Sequence, residues 1–181
     1  MITSYNYEGK IKEEAAMLLN HQAALDYVLS HPDYFGELKV ESILEIHRFL
    51  TKGLGIPNKI RSGRVGITGT NYKPLSDARQ IQKALQDVCD LINFKQNILE
   101  KALITLLLIA YIQPFEDGNK RTARILCNAL LLANKYCPIS FRTVDPDDYR
   151  YATLLFFEQN SLPSFKKMFI EQFEFSTVNY F

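Results

Sequence analysis

Residues 102–124 read ALITLLLIAYIQPFEDGNKRTAR, and this stretch sets the architecture. From Asn97 through Ile112 the chain is apolar nearly all round, which predicts a helix buried on every side at the centre of the domain. Pro114 and the Asp117-Gly118 pair end that helix, because proline restricts the residue before it and Asp-Gly favours a turn. Asn119 to Tyr136 then restores helical period, with Ile125, Leu126, Ala129, Leu130 and Ala133 on one face and Asn119 as the expected cap. A helix, a short polar connection and a second helix therefore form the core.

Outward from this pair, most long segments carry the same period. Lys10–Leu29 is rich in Ala, Leu, Glu and Lys, with Ile11, Ala15, Leu18 and Leu19 as its expected inner stripe. Leu38–Leu50 sets Val40, Ile43, Leu44, His47 and Leu50 on another stripe, where His47 reads as a core histidine. Asp77–Phe94 repeats the pattern behind a cap at Ser76 or Asp77. Asp147–Gln159 and Ser164–Phe173, separated at Pro163, close an all-α chain.

The 181 residues suit one domain with a substantial core. Its 21 basic and 20 acidic residues give a formal charge of +1, which argues against nucleic-acid binding through a bulk basic surface. Cys89, Cys127 and Cys137 are odd in number and lack C-x-x-C spacing, so reduced thiols are expected rather than disulfides or zinc. No apolar run reaches the roughly 20 residues that span a bilayer, and the first residues lack a signal-peptide pattern. We expect a soluble, cytoplasmic protein with no membrane contact.

One region breaks the helical pattern. Gly53, Gly55, Pro57, Gly63, Gly66, Gly69 and Pro74 exclude a long helix between residues 53 and 74. Residues 64–72 fit two short β segments around a turn. A loop this long in a compact domain is either a binding loop or lid, or a mere connector.

The chemistry concentrates in residues 113–124. Helix-start N–H groups lack partners and the helix dipole favours anions there. Gly118 permits close backbone approach, and Lys120, Arg121 and Arg124 add cations that the dipole disfavours at a helix start unless something anionic balances them. That partner is either nearby carboxylates or a bound polyphosphate. Asp117 is a hard oxygen ligand suited to Mg²⁺ shared with phosphates. Phe115 reads as an anchor into the core.

These residues resemble the signature of the Fic family, H-x-F-x-(D/E)-G-N-(G/K)-R-x-x-R, matched at every fixed position except the first. Residues 60–74 resemble that family's flap, and the likeness extends over nearly the whole chain, implying a single Fic-type helical domain over residues 1–181 with a small β-hairpin at 61–74. The resemblance implies ATP and Mg²⁺ as cofactors: Asp117 on the metal, Gly118, Asn119 and Lys120 around the phosphates, Arg121 on them and Arg124 on the γ-phosphate. It implies that Ile67, Thr68, Gly69, Thr70, Asn71 and Tyr72 of the flap pair with a protein substrate by β-augmentation. The implied reaction is AMP transfer from ATP to a protein hydroxyl.

The family's catalytic histidine falls at Gln113, whose amide has no basic nitrogen. Losing a general base typically costs about 10²–10⁴-fold, roughly 3–5 kcal/mol of barrier. An impaired adenylyltransferase scaffold is expected, with an inactive nucleotide- or partner-binding module as the alternative. Lys120 is the residue of the death-on-curing branch, which transfers phosphoryl groups, but Gly118 and Arg124 side with the adenylylating members. Finally, Ser4-Tyr5-Asn6-Tyr7-Glu8-Gly9 fits (S/T)-x-x-x-E-(G/N), the family's inhibitory motif, which implies a Glu8 carboxylate competing for Arg124 with Ser4 anchoring it.

Overall fold

The computed structural model describes residues 2–180, and side chains over residues 9–180. Seven helices, α1 (Ile2–Ser30), α2 (Val40–Leu50), α3 (Ala78–Phe94), α4 (Ile98–Ile112), α5 (Asn119–Ala133), α6 (Pro146–Gln159) and α7 (Pro163–Tyr180), with a 3₁₀ turn at Pro32–Phe35, make up its regular structure. Among the described residues no helix is long and apolar enough to cross a membrane.

The α4–α5 pair is the centre, as its sequence requires. Asn97 caps α4 by accepting from Leu99 N and Glu100 N, and the helix then buries Ala102, Leu106, Leu107 and Ile109. Each such leucine or isoleucine side chain is worth roughly 1.5–3 kcal/mol of transfer free energy when fully buried. Opposite them, α5 presents Ala123, Leu126, Ala129 and Leu130, all fully buried. α2 packs on α5 and α1, α3 lies on α4, and α6 and α7 pair with each other. Asp77 is the cap of α3, accepting from Arg79 N and Gln80 N at 3.0 Å each.

Two expectations need correction here. The inner stripe of α1 is not Ile11, Ala15, Leu18 and Leu19, which are exposed, but Asn20, Ala24 and Val28. Asn20 decides the rotation: its Nδ2 donates to Leu50 O and Lys52 O at 3.3 and 2.7 Å, closing carbonyls at the end of α2. A buried amide serving two carbonyls outweighs a lipophilic stripe that amphipathicity alone would turn inward.

Nor is the flap a β-hairpin, since no strand occurs among the described residues. The backbone N–H groups of Arg61, Gly63 and Asn71 bond to residues outside the segment instead of pairing across a hairpin. Arg61 N donates to Pro114 O at 3.0 Å, Gly63 N to Ser76 O at 2.9 Å, and Asn71 N to Glu158 at 3.1 Å. Tyr72 stacks on Tyr111 of α4, ring centroids 4.3 Å apart, and its hydroxyl donates to Tyr111 O. The segment is an extended strap laid over α4 and α6.

Candidate nucleotide site at the start of α5

α4 ends on Gln113, whose φ of 52° and ψ of 59° place a non-glycine residue in the left-handed region. That conformation costs about 1–2 kcal/mol, and several contacts hold it. Gln113 Nε2 donates to Ala110 O, and Gln113 Oε1 accepts from Asn119 Nδ2 at 3.0 Å. From below, Arg61 Nε donates to Gln113 O and its Nη1 to Gly63 O, both at 2.6 Å. Arg61 is 1 % exposed. Burial pushes its guanidinium pKa down, and no carboxylate pairs with it among the described residues. The carbonyl dipoles at the end of α4 act as its counter-charge.

Asn119 does not cap α5, contrary to the sequence reading. Gly118 holds the cap position at φ 82°, and Asn119 is the first residue of the helix. The Asn119 side chain turns back to bond Phe115 N at 2.8 Å and Phe115 O at 2.9 Å, so it folds the connection rather than satisfying the helix start. The first N–H groups of α5 therefore stay open to a ligand.

His47 is the satisfied core histidine its stripe implied. It stacks on Phe115 at 3.6 Å, and its Nε2 donates to Asp117 O at 3.0 Å. Burial pushes its pKa down, outweighing the bonds to Asn58 and Asp117, so the ring is neutral near pH 7. Phe115 is fully buried, as an anchor should be. The same histidine borders position 118, where a Cβ would meet His47 Cδ2 at 3.4 Å in ordinary contact and the φ of 82° is what favours glycine.

A cavity of about 470 Å³ opens above the start of α5, lined by Gly66 to Thr68 of the strap, Gln113, Glu116 to Arg121, and Arg150, Thr153 and Leu154 of α6. Its floor is cationic. Arg121 pairs with the largely exposed Asp117 at 3.0 Å, yet Arg121 Nη1 is buried with no hydrogen-bond partner. A buried, unpartnered guanidinium donor costs on the order of 1–3 kcal/mol or more until an anion meets it. Lys120 has no carboxylate partner among the described residues, and burial followed by Arg124 and Arg150 pushes its pKa down.

The structure thus brings Gln113, Asp117, Gly118, Asn119, Lys120 and Arg121 to one cavity. Arg124 lies to the side, its guanidinium 4.6 Å from the Tyr149 ring centroid and 5.8 Å from that of Phe141. Ile67 and Thr68 roof the cavity, Gly69 sits against Arg150, and Thr70 and Asn71 are tied to Glu158. The side chains of Ser4 and Glu8 lie outside the described residues. Sequence reading missed Arg61, Arg150 and Glu158. Nothing in their local pattern distinguishes them from ordinary surface charges, and only the tertiary fold brings them to the loop.

The Fic/DOC family profile matches residues 37–131, just over half of the chain. The chain belongs to the Fic/DOC family. It is 31 % identical over 149 residues to a protein adenylyltransferase Fic of Nematostella vectensis, covering 78 % of this chain and 34 % of that protein. Fic-1 from C. elegans superposes with a TM-score of 0.72 at 23 % identity, covering 93 % of this chain and 50 % of the other. The N-terminal Fic domain of a VirB-translocated Bep effector from Bartonella quintana, solved with bound ADP, superposes at 0.70 and 17 % identity, covering 89 % and 84 %. The chain spans about a third of the Nematostella relative and half of the nematode fragment, and the structural likenesses bear on the fold.

Proposed function

We propose that this Fic domain is a scaffold for AMP transfer from ATP to a protein hydroxyl, with the transfer step weakened by Gln113. The observation that carries the reading is the cationic cavity at the start of α5, where open N–H groups, Lys120 and Arg121 converge. The adenylyltransferase names of its relatives, and the ADP bound by the Bartonella domain, support a nucleotide as the anion.

In this reading Gly118, Asn119 and Lys120 bind phosphate oxygens, Arg121 contacts the phosphates, and Arg124 reaches the terminal phosphate. Asp117 is an exposed carboxylate on the cavity, with Glu116 beside it, and so sparse a donor set suits Mg²⁺ held jointly with phosphates rather than a protein-only cage. A bound Mg²⁺ would neutralise phosphate charge. The strap presents the target hydroxyl beside Ile67 and Thr68. Transfer makes a bond from that hydroxyl oxygen to the α-phosphorus and breaks the bond to pyrophosphate, while the hydroxyl proton must leave. Gln113 has no lone pair basic enough to take it.

The engagement of both ends of the Gln113 amide within the loop favours a second reading, a module that binds nucleotide without transferring it. Lys120 also leaves phosphoryl transfer as a chemistry for the same pocket. The motif at Ser4–Gly9 supports a self-inhibitory role for Glu8 against Arg124, testable as tighter productive ATP binding in Glu8→Gly.

Calorimetric titration with ATP and Mg²⁺ tests the pocket, and a flat titration in both the natural chain and Glu8→Gly would discard it. ATP labelled at the α- or the γ-phosphate then separates AMP transfer from phosphoryl transfer, and labelling from neither identifies the binding module.

A further inference from the structure

A second cavity, of about 600 Å³, lies between α1, α5 and the end of α7, on the far side of Arg124 from the nucleotide pocket. Its walls are mainly Leu25, Ile125, Leu132, Ile139 and Phe141, and no acidic side chain lines it among the described residues. The basic groups that line it are Arg124 and His21, and Arg142, outside the lining, rests its guanidinium 5.0 Å from the ring centroid of the lining residue Tyr180. Neither arginine has a carboxylate partner among the described residues; both rest on aromatic rings instead. A volume in the range of small-molecule sites, apolar walls and one lining arginine with no carboxylate partner among the described residues define one ligand chemistry. We propose that this cavity binds a small apolar carboxylate, its chain among Leu25, Leu132 and Phe141 and its headgroup on Arg124.

The electrostatics agree with that geometry. Burial, then Arg124 and Arg121, push the His21 pKa down, as expected where cations gather without a counter-ion. A carboxylate seated on Arg124 removes part of that repulsion and moves His21 back up. The Arg124 guanidinium fork suits a carboxylate in two-point contact, which acetate shares, while the apolar walls supply the selectivity for chain length. Because Arg124 is also the residue proposed to reach the terminal phosphate of ATP, occupancy of the two sites is antagonistic. That coupling rests on the nucleotide reading; carboxylate binding itself does not.

The test uses the full chain without nucleotide, with octanoate as probe well below its micellar range and with 1-octanol and acetate as controls. Binding is read by calorimetry and by the NMR titration of His21. The expected result is saturable one-to-one octanoate binding, at least tenfold weaker octanol binding, no saturation by acetate, and an upward shift of the His21 midpoint. Ser140→Trp fills the mouth from an exposed lining position. It should abolish octanoate binding with unchanged thermal unfolding, and Arg124→Leu should weaken it at least tenfold. Octanol binding as tight as octanoate, unsaturable uptake, or unchanged affinity in Ser140→Trp would each overturn the proposal. Binding seen only in Glu8→Gly would overturn it too, in favour of a carboxylate from the chain itself. Octanoate binding without any ATP binding would sink the nucleotide reading alone.

Discussion

Asn119 Nδ2 donates to Gln113 Oε1 at 3.0 Å, joining the first residue of α5 to the last-turn residue that closes α4. One amide thus locks the other, and the loop between the helices is folded by side chains of the signature itself. Gln113 is accordingly a strut. Its carbonyl oxygen is occupied by Asn119 and its NH₂ by Ala110 O, which leaves it no role in accepting a proton.

Gln113→His should therefore restore a base at the cost of that strut. General-base catalysis is worth about 10²–10⁴-fold, and part of this will be lost to imperfect placement of the imidazole, so a gain of at least about tenfold in AMP transfer is expected. Stability should fall by about 1 kcal/mol as the bond with Asn119 weakens. Label transfer from α-labelled ATP measures the first effect and denaturant unfolding the second. Equal transfer by both chains would remove Gln113 as the reason for weak catalysis.

Arg61 holds the other side of the same turn. Arg61→Ala leaves the Gln113 and Gly63 carbonyls without a charged donor, which should cost roughly 2–3 kcal/mol. Arg61→Lys should recover less than half, because an ammonium cannot reproduce a planar fork spanning two carbonyls. Urea denaturation of the three chains gives the comparison. Full rescue by lysine would show that charge alone, and not the fork, matters.

The central helices were legible because their signal is a long apolar run with breakers at both ends. Pro114 and the Asp117-Gly118 pair marked the connection, and the motif residues at 117–121 do converge on one cavity. What stayed hidden is tertiary. The rotation of α1 follows from the two carbonyls that Asn20 serves, not from its own stripe. The strap at 61–74 alternates like a hairpin, but its polar groups found better partners in Pro114, Ser76 and Glu158. Arg61 carries no local cue at all; a buried guanidinium becomes visible only when the end of α4 meets it.

Gly118→Ala tests how close the backbone must come. At φ 82° an alanine pays about 1–2 kcal/mol in the left-handed region, while its Cβ would make ordinary contact with His47 and Thr51 at 3.4–3.5 Å. Stability should fall by roughly that amount. ATP affinity should drop more than stability alone explains, since the methyl group also reorients the first N–H groups of α5. Calorimetry on the folded variant reads this; unchanged affinity would remove the helix start from the phosphate site.

The strap is held to α6 by Glu158, which accepts from Thr70 Oγ1 at 2.6 Å and Asn71 N at 3.1 Å. Both bonds favour the ionised carboxylate and lower its pKa. Glu158→Ala should free residues 68–71 and speed their limited proteolysis several-fold while global unfolding changes little. Acid should mimic the variant, because the contribution is present above the ordinary carboxylate pKa and is lost as pH falls through the lowered folded value. Identical cleavage rates in the two chains would show that other contacts hold the strap.

His47 gives the fold a pH dependence of predictable sign. Its pKa is lowered in the folded state, so the unfolded chain binds more protons between the two values and stability rises with pH there. The stabilisation is complete above about 6.5, the ordinary histidine value, and is lost as pH falls below it. His21, lowered by burial and by Arg124 and Arg121, adds a loss of the same sign. His47→Gln keeps a donor aimed at Asp117 O but has nothing to titrate. Its midpoint of thermal unfolding should drop less between pH 7.5 and about 5.5, a window chosen to bracket the histidine pKa, than that of the natural chain. Parallel drops would assign the acid sensitivity to His21 instead, which His21→Gln then isolates.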